Sequence, residues 1–253
     1  MVMDTPDYGN WVPSKIMYFS LSASITIYLL TFLNQIQVFD TLLSTISLLL
    51  LIFFLYLRYI YWLLEKDDKA IQKKFWNLLV KHLPWNGIGN ALDIGTGNGP
   101  VAILLAKKHP AARVKGIDFW GNPWTYSKAK CERNAEIEGV KDRTSFEKAS
   151  AVALPYSDEE FDAVVSSFVF HAIQGVDRTQ LIGEALRVLK NGGSYAFQDL
   201  YNNEFYSDDF LDVINSWGLY EINFVESSEH IHVPRLLRTK HMTGGSGILY
   251  GIK

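Results

Sequence analysis

Two long stretches of this chain carry no charge: Ile16 to Leu33, 18 residues, and Thr41 to Leu57, 17 residues. In a helix rising 1.5 Å per residue, each covers roughly 25 to 27 Å, close to the hydrocarbon thickness of a bilayer. Residues 16–64 hold 35 apolar or aromatic side chains out of 49, so the average hydrophobic content of 48% hides a strong asymmetry. Both runs are apolar all round rather than along one stripe, which argues against a buried helical pair of a soluble protein. A signal peptide is disfavoured by the missing basic start, the second run and the lack of a small-residue cleavage site. The Ser and Thr residues at 20, 22, 24, 26, 44, 45 and 47 can bond within a helix or to a neighbouring one.

The expected organisation is an N-terminal segment over 1–15, a transmembrane hairpin over 16–64 with spans near 16–33 and 41–62, and a globular domain over 65–253. Arg58 can snorkel while Tyr59, Tyr61 and Trp62 sit at headgroup level. Lys15 precedes the first run, and Arg58, Lys66, Lys69, Lys73 and Lys74 follow the second. The connection from Asn34 to Asp40 has no basic residue. Positive charge at both ends predicts an integral membrane protein with its globular domain and both termini cytoplasmic, in contact with membrane lipids through 16–64.

Beyond the hairpin, Ile71, Phe75, Leu78, Leu79 and Leu83 recur at helical spacing until Pro84 stops the helix. Short apolar runs then alternate with helical patterns. Strand candidates are 91–94, 114–119, 163–168, 194–200, 220–225 and 247–252. Helix candidates are 101–108, 124–138, 179–189 and 208–216. Strand and helix in alternation imply an α/β domain with a mostly parallel sheet covered on both faces. Lys+Arg 24 against Asp+Glu 27 gives a net charge of −3 without a basic block, which speaks against nucleic-acid binding. The single cysteine, Cys131, excludes an internal disulfide and a Cys-rich metal cluster, and no metal is expected.

Chemistry enters at Asp93-Ile94-Gly95-Thr96-Gly97-Asn98-Gly99-Pro100, where a buried strand turns sharply into a helix. Glycines let the backbone approach a ligand. A dinucleotide fingerprint needs G-x-G-x-x-G, and Pro100 stands where its third glycine belongs, which disfavours a nicotinamide cofactor and an oxidoreductase. Asp118 ends the next strand, where a carboxylate can accept both hydroxyls of a ribose.

With those residues in place, the chain from about 70 to 253 resembles the class I S-adenosylmethionine-dependent methyltransferases, in particular the small-molecule group with an acidic-x-Gly-x-Gly-x-Gly turn. Cys131-Glu132-Arg133-Asn134-Ala135, Leu154-Pro155-Tyr156, Glu160-Phe161-Asp162, Val165-Ser166-Ser167 and Leu189-Lys190-Asn191-Gly192-Gly193-Ser194 agree in order and distance. The resemblance implies a Rossmann-like, doubly wound, mostly parallel seven-stranded sheet and S-adenosyl-L-methionine as cofactor. It assigns cofactor contacts to Asp93, Gly95, Thr96, Gly97, Asn98, Gly99, Asp118 and Phe119, with Phe119 covering adenine. Ser167 joins this set, and Ser150 and Ala151 stand where such enzymes often carry a Gly-Asp-Ala stretch against the adenine.

Methyl transfer from a sulfonium is a direct displacement, so a protein must mainly align the acceptor and exclude water. A thiol or hydroxyl acceptor would also need a base. His171, beyond the fourth strand, is the first candidate and Asp199, ending the next strand, the second; His171 reads equally well as a residue that orders its loop. Trp120, Trp124 and Tyr126 either wall an acceptor pocket or cement helix to sheet. Tyr8, Asn10 and Trp11 either form a lid or anchor the chain at the bilayer interface. The reading is a membrane-anchored methyltransferase acting on a small, apolar or amphiphilic acceptor such as a lipid, a quinone or isoprenoid intermediate, or a hydrophobic thiol. The alternative is a non-catalytic cofactor-binding module in a membrane complex.

Overall fold

The computed structural model describes residues 5–33, 37–65, 71–121, 123–202 and 210–253. The chain divides into two compact units, one of residues 9–71 with 121–125, the other of residues 1–8, 72–120 and 126–253. Of the residues named above, Asn34, Lys66, Lys69 and the start of the 208–216 helix lie outside the described residues.

The smaller unit is a helical hairpin of α1 (Ser14–Thr31) and α2 (Gln37–Glu65). Their pairings run in opposite directions: Asn10 Nδ2 donates to the Tyr61 carbonyl, the rings of Tyr18 and Phe54 stand 6.5 Å apart, and Ser24 meets Ser47. The Ser24 hydroxyl donates to the Ser47 carbonyl at 2.8 Å, and the Ser47 hydroxyl donates back to the Ser24 carbonyl at 2.9 Å. Ser20, Ser24 and Ser47 are buried, while Phe19, Ile25, Leu29, Leu48, Ile52 and Leu55 are exposed. Met17, Ile60 and Leu64 are buried as well, so serines share the interior with apolar side chains while the exposed surface is strongly apolar.

Of the two spans expected, α2 alone is long and apolar enough to cross a membrane, over Gln37–Leu64 with a mean hydropathy of 2.3. The first helix falls short because it starts at Ser14, takes in Lys15 and stops at Thr31, before Phe32 and Leu33. Asp40 belongs to the first turn of α2 and not to the connection.

In the larger unit α3 (Ile71–His82) precedes a sheet built in the order β3-β2-β1-β4-β5-β7-β6. The strands are β1 (Gly89–Ile94), β2 (Ala112–Asp118), β3 (Thr144–Lys148), β4 (Phe161–Ser167), β5 (Leu189–Leu200), β6 (Glu221–Glu226) and β7 (Ser246–Ile252). Strands β1 to β5 pair in parallel, and β7 runs antiparallel to both β5 and β6, so the sheet is mixed. The helices are α4 (Pro100–Lys108), α5 (Lys128–Ile137), α6 (Arg178–Arg187) and α7 (Phe210–Asn215).

Because side chains alternate across a strand, Leu92, Ile94, Val164, Phe197 and Leu249 share one face, where they pack with Leu181, Ile182 and Ala185 of α6 and Ile214 of α7. Asp93 points to the other face, towards α4. The order reverses between β1 and β4, and in an open α/β sheet the crevice beyond the carboxyl ends at that reversal is where ligands bind.

Candidate active site

At the carboxyl end of β1 the chain must leave the sheet and start α4 within five residues, and glycine makes this feasible. Gly95 has φ +72°, and a Cβ there would lie 2.1 Å from Cγ2 of Val169. Gly116 on β2 leaves room for Thr96, whose Oγ1 would lie 2.7 Å from a Cβ at that position.

Beneath the turn, Asp93 is 1% exposed; its Oδ2 accepts from the Thr96 hydroxyl at 2.6 Å and from the Ala102 N–H at 3.1 Å. Burial pushes its carboxyl up to about 7, against those two stabilising bonds. Asp93 therefore supports the turn from below, tying β1 to the first turn of α4.

Asp118 ends β2 alongside. Its Oδ2 accepts from the Gly97 N–H at 2.9 Å and its Oδ1 from the Trp120 N–H at 2.7 Å. Burial raises its carboxyl while backbone N–H groups counteract that rise. Phe119 is 64% exposed, with Nζ of Lys148 4.8 Å above its ring. Trp120 adopts φ +48°, unusual for a non-glycine residue, and its indole donates to the Gly97 carbonyl at 2.8 Å. The same carbonyl accepts from the Cys131 thiol at 3.2 Å, and burial pushes that thiol far above its ordinary range. Cys131 is thus a packing residue on α5.

The aromatic set divides. Trp120 and Tyr126 flank Gly97, where a Cβ would sit 3.6 Å from the Tyr126 ring. Trp124 belongs to the hairpin unit and donates from its indole to the Trp11 carbonyl at 3.1 Å. Tyr8, Asn10 and Trp11 divide likewise. Tyr8 lies in the larger unit, donating to Glu138 at 3.1 Å with its ring edge-on to Trp76. Asn10 and Trp11 lie in the hairpin unit, where Asn10 bonds Tyr61 and Val12. Ser150 spends its hydroxyl on the Val152 N–H within a tight turn that includes Ala151, next to Ala149, whose N–H donates to the Asp118 carbonyl.

At the carboxyl ends of β4 and β5 the structure joins the two candidates for a base. His171 sits in a single helical turn, Phe170–Ala172, with its Nδ1 2.5 Å from Oδ1 of Asp199. Its backbone N–H donates to Oδ2 of Asp199 at 3.1 Å, and its carbonyl accepts from Arg178 at 3.1 Å. Asp199 is 1% exposed. Phe168, φ +57°, turns the chain out of β4 and sets its ring against Phe75 and His171. On the opposite face of the sheet, the Ser167 hydroxyl donates to Oε1 of Gln198 at 3.1 Å, while Nε2 of Gln198 is buried without a partner among the described residues.

Sequence reasoning did not single out Asn134 and Asp7. Asn134, on α5, donates from its amide to the Asn98 carbonyl inside the turn and to the Asp7 carbonyl, both at 2.9 Å. The only sequence signal was its place in the Cys131–Ala135 segment. Among the described residues no group of three or more His, Cys, Asp or Glu side chains gathers as a metal site would.

Residues 92–197, from β1 into β5, match the family model described as a methyltransferase domain. The chain is 34% identical over 140 residues to the methyltransferase GfsG of Streptomyces halstedii, covering 55% of this chain and 47% of that one. It is 32% identical over 161 residues to the ubiquinone/menaquinone biosynthesis C-methyltransferase UbiE of Geobacter sp. (strain M21), covering 59% and 64%. The chain thus spans about half to just under two thirds of these relatives' length. Geranyl diphosphate C-methyltransferase from Streptomyces coelicolor A3(2) shares the fold with a TM-score of 0.54 at 14% identity, over 75% of this chain and 86% of that one. Residues 92–197 are thus similar to a methyltransferase domain, and the larger unit shares the Rossmann-like fold of the solved neighbour.

Proposed function

We propose that the chain is a membrane-anchored S-adenosylmethionine-dependent methyltransferase acting on a small apolar or amphiphilic acceptor. The observation that carries the activity is the glycine turn of residues 95–99 with Asp118 at its side, inside the segment that matches a methyltransferase domain. The residues present fit the cofactor. A carboxylate suits the ribose diol, the exposed Phe119 ring suits adenine, and the orphaned donor of Gln198 suits an amino-acid carboxylate. The cofactor, when bound, supplies a methyl group on a sulfonium, which leaves as a neutral thioether.

What remains for the protein is the acceptor's proton. His171 is held through Nδ1 by Asp199, so Nε2 takes that proton, and the buried carboxylate stabilises the imidazolium that results. For a phenol or quinol, removing the hydroxyl proton makes both the oxygen and the neighbouring ring carbon nucleophilic. Relatives named for ubiquinone and menaquinone biosynthesis favour an acceptor of this kind, which partitions into a bilayer.

The hairpin reading rests on its apolar exterior, with large apolar side chains exposed and a reciprocal pair of serines between the helices. Water would penalise that exposure, whereas lipid would not. We place both termini and the catalytic domain on the cytoplasmic side, and read the tether as a means of raising the local concentration of a membrane-dissolved acceptor.

Calorimetric titration of the detergent-solubilised protein with S-adenosylhomocysteine tests the cofactor. Saturable binding is expected, weakened about 100-fold in Asp118→Ala by loss of two charge-assisted bonds. Binding equal in wild type and variant would overturn the assignment. Resistance of the expressed protein to alkaline carbonate extraction tests the anchor, and release into the soluble fraction would refute it.

A further inference from the structure

The N-terminal residues of the larger unit form a strap across α5 and the glycine turn, and their bonding is unusually complete. The Asp7 N–H donates to Oδ1 of Asn134 at 2.8 Å, and Nδ2 of Asn134 donates to the Asp7 carbonyl at 2.9 Å. The side-chain amide thus reads the Asp7 peptide from both sides, as a neighbouring strand would. The Asp7 carbonyl also accepts from Nδ2 of Asn98 at 3.1 Å, while Oδ1 of Asn98 accepts from the Ser127 N–H at 3.1 Å. Outside this pair, Asp7 Oδ2 meets Nζ of Lys130 at 2.7 Å, and Tyr8 reaches Glu138.

Asn98 and Asn134 are 0% and 1% exposed. Buried amide donors left without partners are costly, so the turn and the strap depend on each other. The second donor hydrogen of Asn134 goes to the Asn98 carbonyl, in the middle of the turn. One residue earlier, the Gly97 N–H holds the carboxylate of Asp118. A continuous chain of bonds therefore runs from Asp7 through Asn134 and Asn98 to the group assigned to the ribose.

We propose that Asn134 is a positioning residue for cofactor binding, acting by gripping the Asp7 peptide so that the N-terminal strap is a structural part of the cofactor site. The inference rests on the cofactor reading above. Linkage is reciprocal: if the strap tightens the cofactor site, bound cofactor holds the strap down by the same factor. The strap ends at Tyr8, and the hairpin unit begins at Gly9.

The test uses the full-length protein in detergent, S-adenosylhomocysteine as probe, and Asp7→Pro. This variant deletes the peptide N–H that Asn134 accepts, together with the Lys130 ion pair, and leaves the residues of the turn and Asp118 unchanged. Its affinity should fall about tenfold, and KM for S-adenosylmethionine should rise in step, with kcat at saturating cofactor unchanged. Asp7→Asn, which removes only the ion pair to Lys130, should lose less. Hydrogen exchange of the wild type gives an independent readout: the probe should slow exchange at residues 5–8. Equal affinity in Asp7→Pro and wild type, or unchanged exchange at 5–8 on saturation, overturns the inference and leaves the cofactor assignment standing. Failure of the folded wild type to bind the probe overturns both.

Discussion

Nδ1 of His171 lies 2.5 Å from Oδ1 of Asp199, and the same carboxylate takes the backbone N–H of His171 through its other oxygen. The ring is therefore fixed in tautomer and orientation by a residue 28 positions away on the adjoining strand. His171→Ala should lower kcat by about 100-fold or more, the usual worth of a positioned base, while S-adenosylhomocysteine affinity changes less than threefold. Asp199→Asn should resemble it in kcat, because the amide no longer fixes the tautomer. An acceptor assay beside a binding titration checks both, and a parallel loss of cofactor affinity would show that the pair is structural.

Steric and conformational demands at Gly95 can be separated. Gly95→Ala brings a methyl group onto Val169 and sets a non-glycine residue at φ +72°. We expect a stability loss of roughly 2–3 kcal/mol. Val169→Ala in the same chain should recover the steric share and not the backbone share, so a double-mutant cycle in denaturant should show favourable coupling. Additive losses would mean that the loop carrying Val169 moves aside.

Asp93 makes a pH prediction. Its carboxyl is pushed up to about 7 in the folded protein and returns to the ordinary carboxylate range, roughly 4, when unfolded. Between these values the folded state holds a proton that the unfolded chain has released. The contribution of Asp93 to stability is thus greatest below about pH 4 and is lost as pH rises towards 7, at up to about 1.4 kcal/mol per pH unit. Measured against Asp93→Asn, the wild type should lose relative stability over that window. Parallel melting curves for the two proteins from pH 4 to 7 would contradict this.

The reciprocal serine bonds of the hairpin should contribute modestly. In membrane proteins such interhelical bonds average about 0.6 kcal/mol. Ser24→Ala with Ser47→Ala should lose about 1 kcal/mol in unfolding by an anionic detergent, whereas Ser24→Leu should lose more by forcing the helices apart. A leucine variant as stable as wild type would show that the helices do not pack through this pair.

Central strands were legible as apolar runs: 91–94 and 163–168, buried on both faces, match β1 and β4, and 114–119 matches β2 through Val114, Gly116 and Ile117 although Lys115 and Asp118 are only half-buried. The third strand, Thr144–Lys148, was not, because it forms the sheet's edge and buries only Phe146 well. The glycine turn and Asp118 were readable because sharp chain reversal demands specific residue types. Pairings between distant residues were not readable. Nothing in the sequence joins His171 to Asp199, or Asp7 to Asn134, since only the folded sheet and α5 bring them within bonding distance. The first apolar run and its helix are both 18 residues long but out of step by two: α1 takes in Ser14 and Lys15 and leaves out Phe32 and Leu33, a shift that residue hydropathy alone does not register.

Strand β7 threads between β5 and β6, although it follows both in sequence. Among the described residues its outer neighbour β6 has no other partner in the sheet, and β5, which presents Asp199, has one flank bare until residues 246–252 arrive. During synthesis α1 and α2 emerge some 180 residues earlier. On the proposed anchoring, the hairpin meets the bilayer while β5, the strand that presents Asp199, is still half-paired. In that reading insertion precedes catalytic competence by the order of the chain itself, and nascent protein would reach its membrane inert.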